Sequence, residues 1–317
     1  MATIVLVHGI AQEQYSADTL EAAWLPALAG GVRNSGDHGL ADLLSRHPAG
    51  GRIDTRMAYY GDLFLSAGAQ GPSSDPGDEA TAELTERLAR ALLENAAAFA
   101  ADPRDRAEAA RRLGELDPRG EAQGARSALR PALNGLAALR WFAPLGVGVA
   151  GRTVWRAVSQ VTRYLHDDEI RAQAQSRVRA LIGPDTRLVI GHSLGSVVAY
   201  EALHHCEHPV ALLTLGSPLG LRNIVYDLLR PAPPAVPPAV TRWDNLVDRD
   251  DLVAARIDLA ELFPAAAGST VLPVTAPTVD NGAEPHDATH YLTKVTVGGI
   301  VRAVLDPVTG DRVTCDG

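Results

Sequence analysis

The chain of 317 residues has little that would place it in a specialised class. It holds only two cysteines, Cys206 and Cys315, and neither lies in a CxxC or other metal-like cluster. That excludes a disulfide framework and a structural zinc site. There is no excess of positive charge: the net charge is −9 and the pI about 5.6. A nucleic-acid footprint and a polybasic membrane patch both need the opposite sign. The opening MATIVLVHGI lacks the charged and apolar regions and the cleavage site of a signal peptide. No run of 18 clean apolar residues occurs; the nearest, 136–150, is broken by Arg140 and Pro144 and is too short for a bilayer. There is no internal repeat. These absences predict a soluble, cytoplasmic globular protein. The 46% hydrophobic and 21% charged residues supply an ordinary core and surface.

Five short runs read as strands: 3–7, 53–59, 187–190, 210–215 and 240–246, with 269–274 as a sixth candidate. Most are continuous in Val, Ile and Leu, as strands buried on both faces are. Helical spacing is seen over 169–182, which stops at Gly183-Pro184, and over 197–205; 288–305 reads as one closing helix despite its β-branched residues. Alternating strands and helices predict a mostly parallel sheet with helices on both faces. Residues 62–165 break the rhythm. They show no strand and are rich in Ala, Arg, Leu and Glu, cut by Pro and Gly, including GPSSDPGD at 71–78. The expectation is an inserted helical cap at 62–165 between core segments 1–61 and 166–317. The proline-rich 230–240 reads as a stiff connector.

Chemistry points to 188–203, LVIGHSLGSVVAYEAL. The pattern G-x-S-x-G arises by chance in a chain this long about one time in ten, so context decides. Here a strand-like run precedes it and a helix-like run follows, which a strand–turn–helix elbow requires. The turn is so sharp that residues two before and two after Ser193 must lack side chains. Ser193 is then exposed at the sheet's carboxyl edge, beside the free N–H groups of a helix start.

A serine hydroxyl needs a base, and the base an orienting carboxylate. In this architecture the order is Ser, acid, His. Downstream of Ser193, TRWDNLVDRDDLVAA offers four aspartates, Asp244 within the strand at 240–246 and Asp248, Asp250 and Asp251 after it. Asp251 fits best and Asp248 is the alternate. Beyond them only His286 and His290 remain. His286 follows a Gly/Pro loop and is the expected base; His290, a turn into the helix, is its alternate. His204, His205 and His208 read as a solvated face and His192 as packing against the sheet. Oxyanion donors are expected from the backbone N–H of Leu194 and of Ile10, in the HGI turn after the first strand.

Taken together, LVHGI at 6–10, VIGHSLGSVVAYEAL at 189–203, LLTLGSPLGL at 212–221, WDNLVDRDDLVA at 243–254 and PHDATHYL at 285–292 resemble the lipase/esterase-like branch of the α/β-hydrolase superfamily. The resemblance implies an α/β-hydrolase fold and a Ser193–Asp251–His286 site that hydrolyses an acyl bond without metal or organic cofactor. It implies that Ser217, in the GSP turn, is structural. A small-molecule or lipid-like acyl substrate is expected, a carboxylic ester first. Alternatives are a thioesterase, an acyltransferase or a non-catalytic binding protein on the same fold. Substrate choice is expected in the cap, where Trp141 and Phe142 belong to an apolar piece that either lines an acyl pocket or forms a buried hairpin.

Overall fold

The computed structural model describes residues 1–45, 53–65, 79–116, 125–139, 147–222, 224–254, 258–275 and 278–306. Trp141, Phe142, Cys315 and the 71–78 stretch lie outside them. The protein is of the α/β class: six strands form one all-parallel sheet with helices on both sides. The strands are β1 (Ile4–Val7), β2 (Thr55–Ala58), β3 (Leu188–His192), β4 (Val210–Leu215), β5 (Val240–Leu246) and β6 (Pro273–Thr275). Their spatial order is β2-β1-β3-β4-β5-β6.

Alternation along the strands builds two cores. Val5, Val7, Val189, Val210 and Leu212 face one cluster. Ile4, Leu6, Leu188, Ile190, Leu213 and Leu215 face the other. On the second face pack α1 (Ala17–Asn34), α2 (His38–Ser45), α9 (Ala288–Leu292) and α10 (Val295–Leu305). On the first lie α7 (Asp168–Arg179) and α8 (Leu194–Leu203), with four helices between β2 and β3: α3 (Glu79–Phe99), α4 (Pro103–Leu116), α5 (Ala125–Ala137) and α6 (Val147–His166). Among the described residues this segment holds no strand, and no helix is long and apolar enough to cross a membrane.

Two expectations need correction. The sixth strand is shorter and starts later than 269–274, at Pro273. The closing helix is two helices, because Lys294 takes an extended conformation (φ −70°, ψ 141°) as the N-cap of α10. Seating against α1 is tight there. A Cβ on Gly31 would lie 2.2 Å from the Leu292 carbonyl oxygen, and one on Gly298 2.0 Å from that of Gly31.

A buried network ties α6, α7 and α8 together. Glu201 and Arg171 form an ion pair with almost no exposure. Tyr164 Oη donates to Glu201 at 2.6 Å, Gln175 Nε2 at 2.8 Å and the Arg230 backbone N–H at 2.9 Å. Nearly every polar atom there has a partner, the condition under which a buried charge is tolerated.

Candidate active site

The sheet order reverses between β1 and β3: the chain leaves β1 to one side and returns at β3 on the other. At such a point the loops after the two strands part and open a crevice at their carboxyl ends. A cavity of about 560 Å³ lies there, lined by Gly9, Ile10, Ser193 and His286 among others.

The elbow after β3 has the geometry its glycines require. Ser193 sits at φ 54°, ψ −130°, outside the regions an L-residue prefers. A Cβ on Gly195 would stand 2.2 Å from the Val7 carbonyl oxygen, and one on Gly191 2.7 Å from that of Gly195. Strand β1 and helix α8 therefore approach the turn too closely for any side chain at either position. Ser196 Oγ donates to the Ser193 carbonyl at 2.6 Å and shares a 2.6 Å hydrogen bond with Ser217 Oγ. Ser217 also caps the short helix Pro218–Gly220. Leu194 opens α8, so its N–H has no acceptor one turn earlier in the helix.

The loop after β1 carries Ile10. His8 Nε2 accepts from the Tyr60 N–H at 3.1 Å, so Nδ1 carries the proton and donates to the Gly9 carbonyl at 2.8 Å. The Gly9–Ile10 peptide is thereby oriented, with the Ile10 N–H on the side opposite the held carbonyl. Burial pushes His8 down to about 4, and the hydrogen bond to Gly9 only partly opposes this; the ring stays neutral. The next peptide is held at both ends: the Ile10 carbonyl accepts from Gln12 Nε2 at 3.1 Å, and the Ala11 N–H donates to Gln160 Oε1 at 2.7 Å. Ala11 has φ 59°, a conformation that costs a non-glycine residue about 1 kcal/mol.

The structure brings His286 and Asp251 together, 35 residues apart in sequence: Nδ1 lies 2.8 Å from Oδ2. With Asp251 ionised, Nδ1–H donates and Nε2 is the basic ring nitrogen. Burial alone would raise the Asp251 pKa. The nearby His286, with the Tyr291 hydroxyl at 2.9 Å and the Val253 N–H at 3.0 Å, outweighs it, and the carboxyl ends below its usual value. Tyr291 Oη also accepts from the Asp248 N–H at 2.7 Å, so one hydroxyl fixes both aspartates' loop. Gly216 leaves room for the pair, since a Cβ there would lie 2.6 Å from Asp251 Oδ2. His286 immediately precedes Asp287, whose Oδ1 accepts from the Thr289 and His290 N–H groups and caps α9.

The alternates are not brought into this pairing. Asp248 Oδ1 accepts from the Asp250 N–H at 2.7 Å and Oδ2 from that of Asn281, so its carboxylate links two loops. Burial raises its pKa. His290 Nδ1 lies 3.1 Å from the Asn281 carbonyl, on α9. His192, expected to pack against the sheet, also donates from Nε2 to the His286 carbonyl at 2.8 Å, with ring centroids 4.7 Å apart. Burial and the neighbouring His286 lower it to about 3, so it holds the His286 backbone as a neutral ring. His204 is half-buried against Tyr200 rather than solvated.

Comparison with protein-family models, curated proteins and solved structures finds no match. The chemistry of the cavity wall is thus the basis for a functional reading. Leu88, Leu92, Leu136, Val154, Val158 and Val161 come from α3, α5 and α6, and Leu20, Ala23 and Trp24 from α1. No lysine or arginine is among the described lining residues, whereas Glu284 and Asp287 are. Glu284, Asp287 and His290 each present a potential metal-ligand atom within 4.8 Å of one another, although Asp287 Oδ1 is already engaged in capping α9. Sequence reasoning missed Tyr291, His192 and Gln160 as supports of the site; Tyr291 and His192 adjoin residues already singled out, His290 and Ser193, whereas Gln160 lies 149 positions from Ala11 and carries no local signal.

Proposed function

We propose that the chain is a serine hydrolase of the α/β-hydrolase kind, cleaving carboxylic esters of apolar acids through an acyl-enzyme. The observation that carries this reading is a single apolar cavity whose wall includes the elbow serine, Ser193, and a histidine already paired with a buried aspartate. In the proposed cycle His286 Nε2 takes the proton of Ser193 Oγ as the oxygen attacks the ester carbonyl. Asp251 stabilises the resulting imidazolium, and the Ile10 and Leu194 N–H groups hold the tetrahedral oxyanion. His286 then protonates the departing alcohol; later it draws a proton from the water that attacks the acyl-enzyme and gives that proton to Ser193 Oγ as the acid leaves. The segment holding α3–α6 serves as the cap in this reading, since its leucines and valines form much of the cavity wall. The absence of lysine and arginine among the described lining residues supports an uncharged substrate over an acyl thioester on an anionic carrier.

A fluorophosphonate probe tests the reading. Labelling of wild type and its loss in Ser193→Ala is expected. No labelling of wild type overturns it and leaves a non-catalytic binding protein; equal labelling of both proteins overturns Ser193 as the nucleophile. Product analysis with a competing alcohol separates hydrolysis from acyl transfer.

A further inference from the structure

Two buried amide side chains from the segment between β2 and β3 reach the loops on which the proposed chemistry depends. Gln160, on α6 and 5% exposed, accepts from the Ala11 N–H at 2.7 Å and donates from Nε2 to Glu13 Oε2 at 2.8 Å. Arg156, one turn earlier on the same helix, places Nε 3.0 Å from Glu13 Oε1, and the Glu13 side chain is almost fully buried. One helix face thus grips residues 11 and 13, directly after Ile10. Asn95, on α3 and 8% exposed, donates from Nδ2 to the Leu252 carbonyl at 2.8 Å, directly after Asp251.

We infer that Gln160 is a positioning residue for the oxyanion loop and Asn95 one for the acid loop, so that the inserted helices form a fixed part of the catalytic frame and not a detachable lid. The inference rests on the hydrolase reading. Its physical content lies in Ala11. A non-glycine residue holds φ 59° only where its surroundings over-determine it, and the 2.7 Å bond to Gln160 is the contact that commits its N–H. Because that N–H is engaged, Ala11 offers none to an oxyanion, and Ile10 stays the proposed donor of this loop. If the bond is lost, the Ile10–Ala11 peptide keeps only its Gln12 tether and can relax out of the strained conformation. Misplacement by a fraction of an ångström weakens an oxyanion contact while leaving the apolar wall that binds the substrate in place.

The test compares wild type with Gln160→Met, which keeps the volume and removes both polar atoms, and with the swap Gln160→Glu/Glu13→Gln. The swap keeps an acceptor for Ala11, keeps a donor–acceptor pair between the two side chains and leaves the charge beside Arg156 unchanged in sum. Initial rates on a chromogenic ester and the rate constant of fluorophosphonate labelling are read for all three. Gln160→Met is expected to lose about ten-fold or more in kcat and in labelling rate, with KM within about two-fold, and the swap to recover most of both. A Gln160→Met protein that labels and turns over at the wild-type rate overturns the inference, as does a folded swap no faster than Gln160→Met. If Gln160→Met does not fold, the swap against Asn95→Leu decides. A folded swap near wild type with a slow Asn95→Leu supports the inference; a slow swap, or a wild-type rate in Asn95→Leu, overturns it. Failure of wild type to label at all belongs to the hydrolase reading, and is told apart by that arm alone.

Discussion

Tyr291 does with one hydroxyl what two loops need: it donates to Asp251 Oδ2 and accepts from the Asp248 N–H, and it is fully buried. Tyr291→Phe leaves a buried carboxylate short of a donor and a buried amide without an acceptor. A cost of about 1–3 kcal/mol is expected, read from the urea midpoint, together with a several-fold drop in ester turnover as Asp251 loses its fixed position. The two downstream histidines separate more sharply. On the proposed mechanism His286→Ala should lose at least about a thousandfold in kcat. His290→Ala removes a ring that contacts the Asn281 carbonyl and not Asp251, and should stay within a few-fold. The opposite ranking in a steady-state assay would transfer the role of base to His290.

Between elements, contact at the backbone governs. Helices α1 and α10 meet at Gly31 and Gly298, where a Cβ on Gly298 would lie 2.0 Å from a carbonyl oxygen that cannot rotate away. Gly298→Val should therefore cost about 3 kcal/mol, seen as a lowered thermal midpoint; it should also slow ester turnover, since α9, which starts two residues after His286, packs against α1 as well. This scale also shows what the sequence makes legible. The strands at 210–215 and 240–246 match β4 and β5 residue for residue: β4, VALLTL, is buried throughout and reads as the near-continuous apolar run of a strand covered on both faces, whereas β5, VTRWDNL, exposes Thr241 and Arg242 and buries the rest. Of the three candidate residues only Ser193 directly follows a strand, β3; Asp251 and His286 lie in the loops beyond β5 and β6, and their expected order came from the architecture and not from a local pattern. The break after Leu292 was not readable, because it answers to Gly31 on a distant helix. Gln160 was not readable either. It meets Ala11 across 149 positions, and no local pattern records a partner so far away. The pairing of Asn95 with Leu252 spans 157.

For the whole molecule, the buried imidazoles set how stability depends on pH. His8 and His192 are neutral in the fold, with pKa lowered by burial from the ordinary 6.5 to about 4 and about 3. Asp62 and Arg177 act on His8 from opposite signs, and Asp251 and Asp287 draw His192 upward without offsetting its burial. As the pH falls below 6.5 the unfolded chain binds protons that the folded chain refuses, so stability is lost with acidification. Each ring contributes about 1.4 kcal/mol per pH unit until its folded pKa is reached. Half-buried His204, also lowered to about 4, adds a smaller share. Asp251, with its carboxyl below the usual value, gives stability that is present above about pH 4 and lost only as the pH drops further. Urea midpoints at constant ionic strength should accordingly fall from pH 6.5 downward, well before the carboxylates titrate. His192→Gln, whatever its stability at pH 7, should show a shallower slope between pH 6 and 4.5, by about one proton. A midpoint that stays flat from pH 7 to 4.5 would mean that these rings take up protons in the fold as readily as in the open chain, and that burial at the elbow does not keep them neutral.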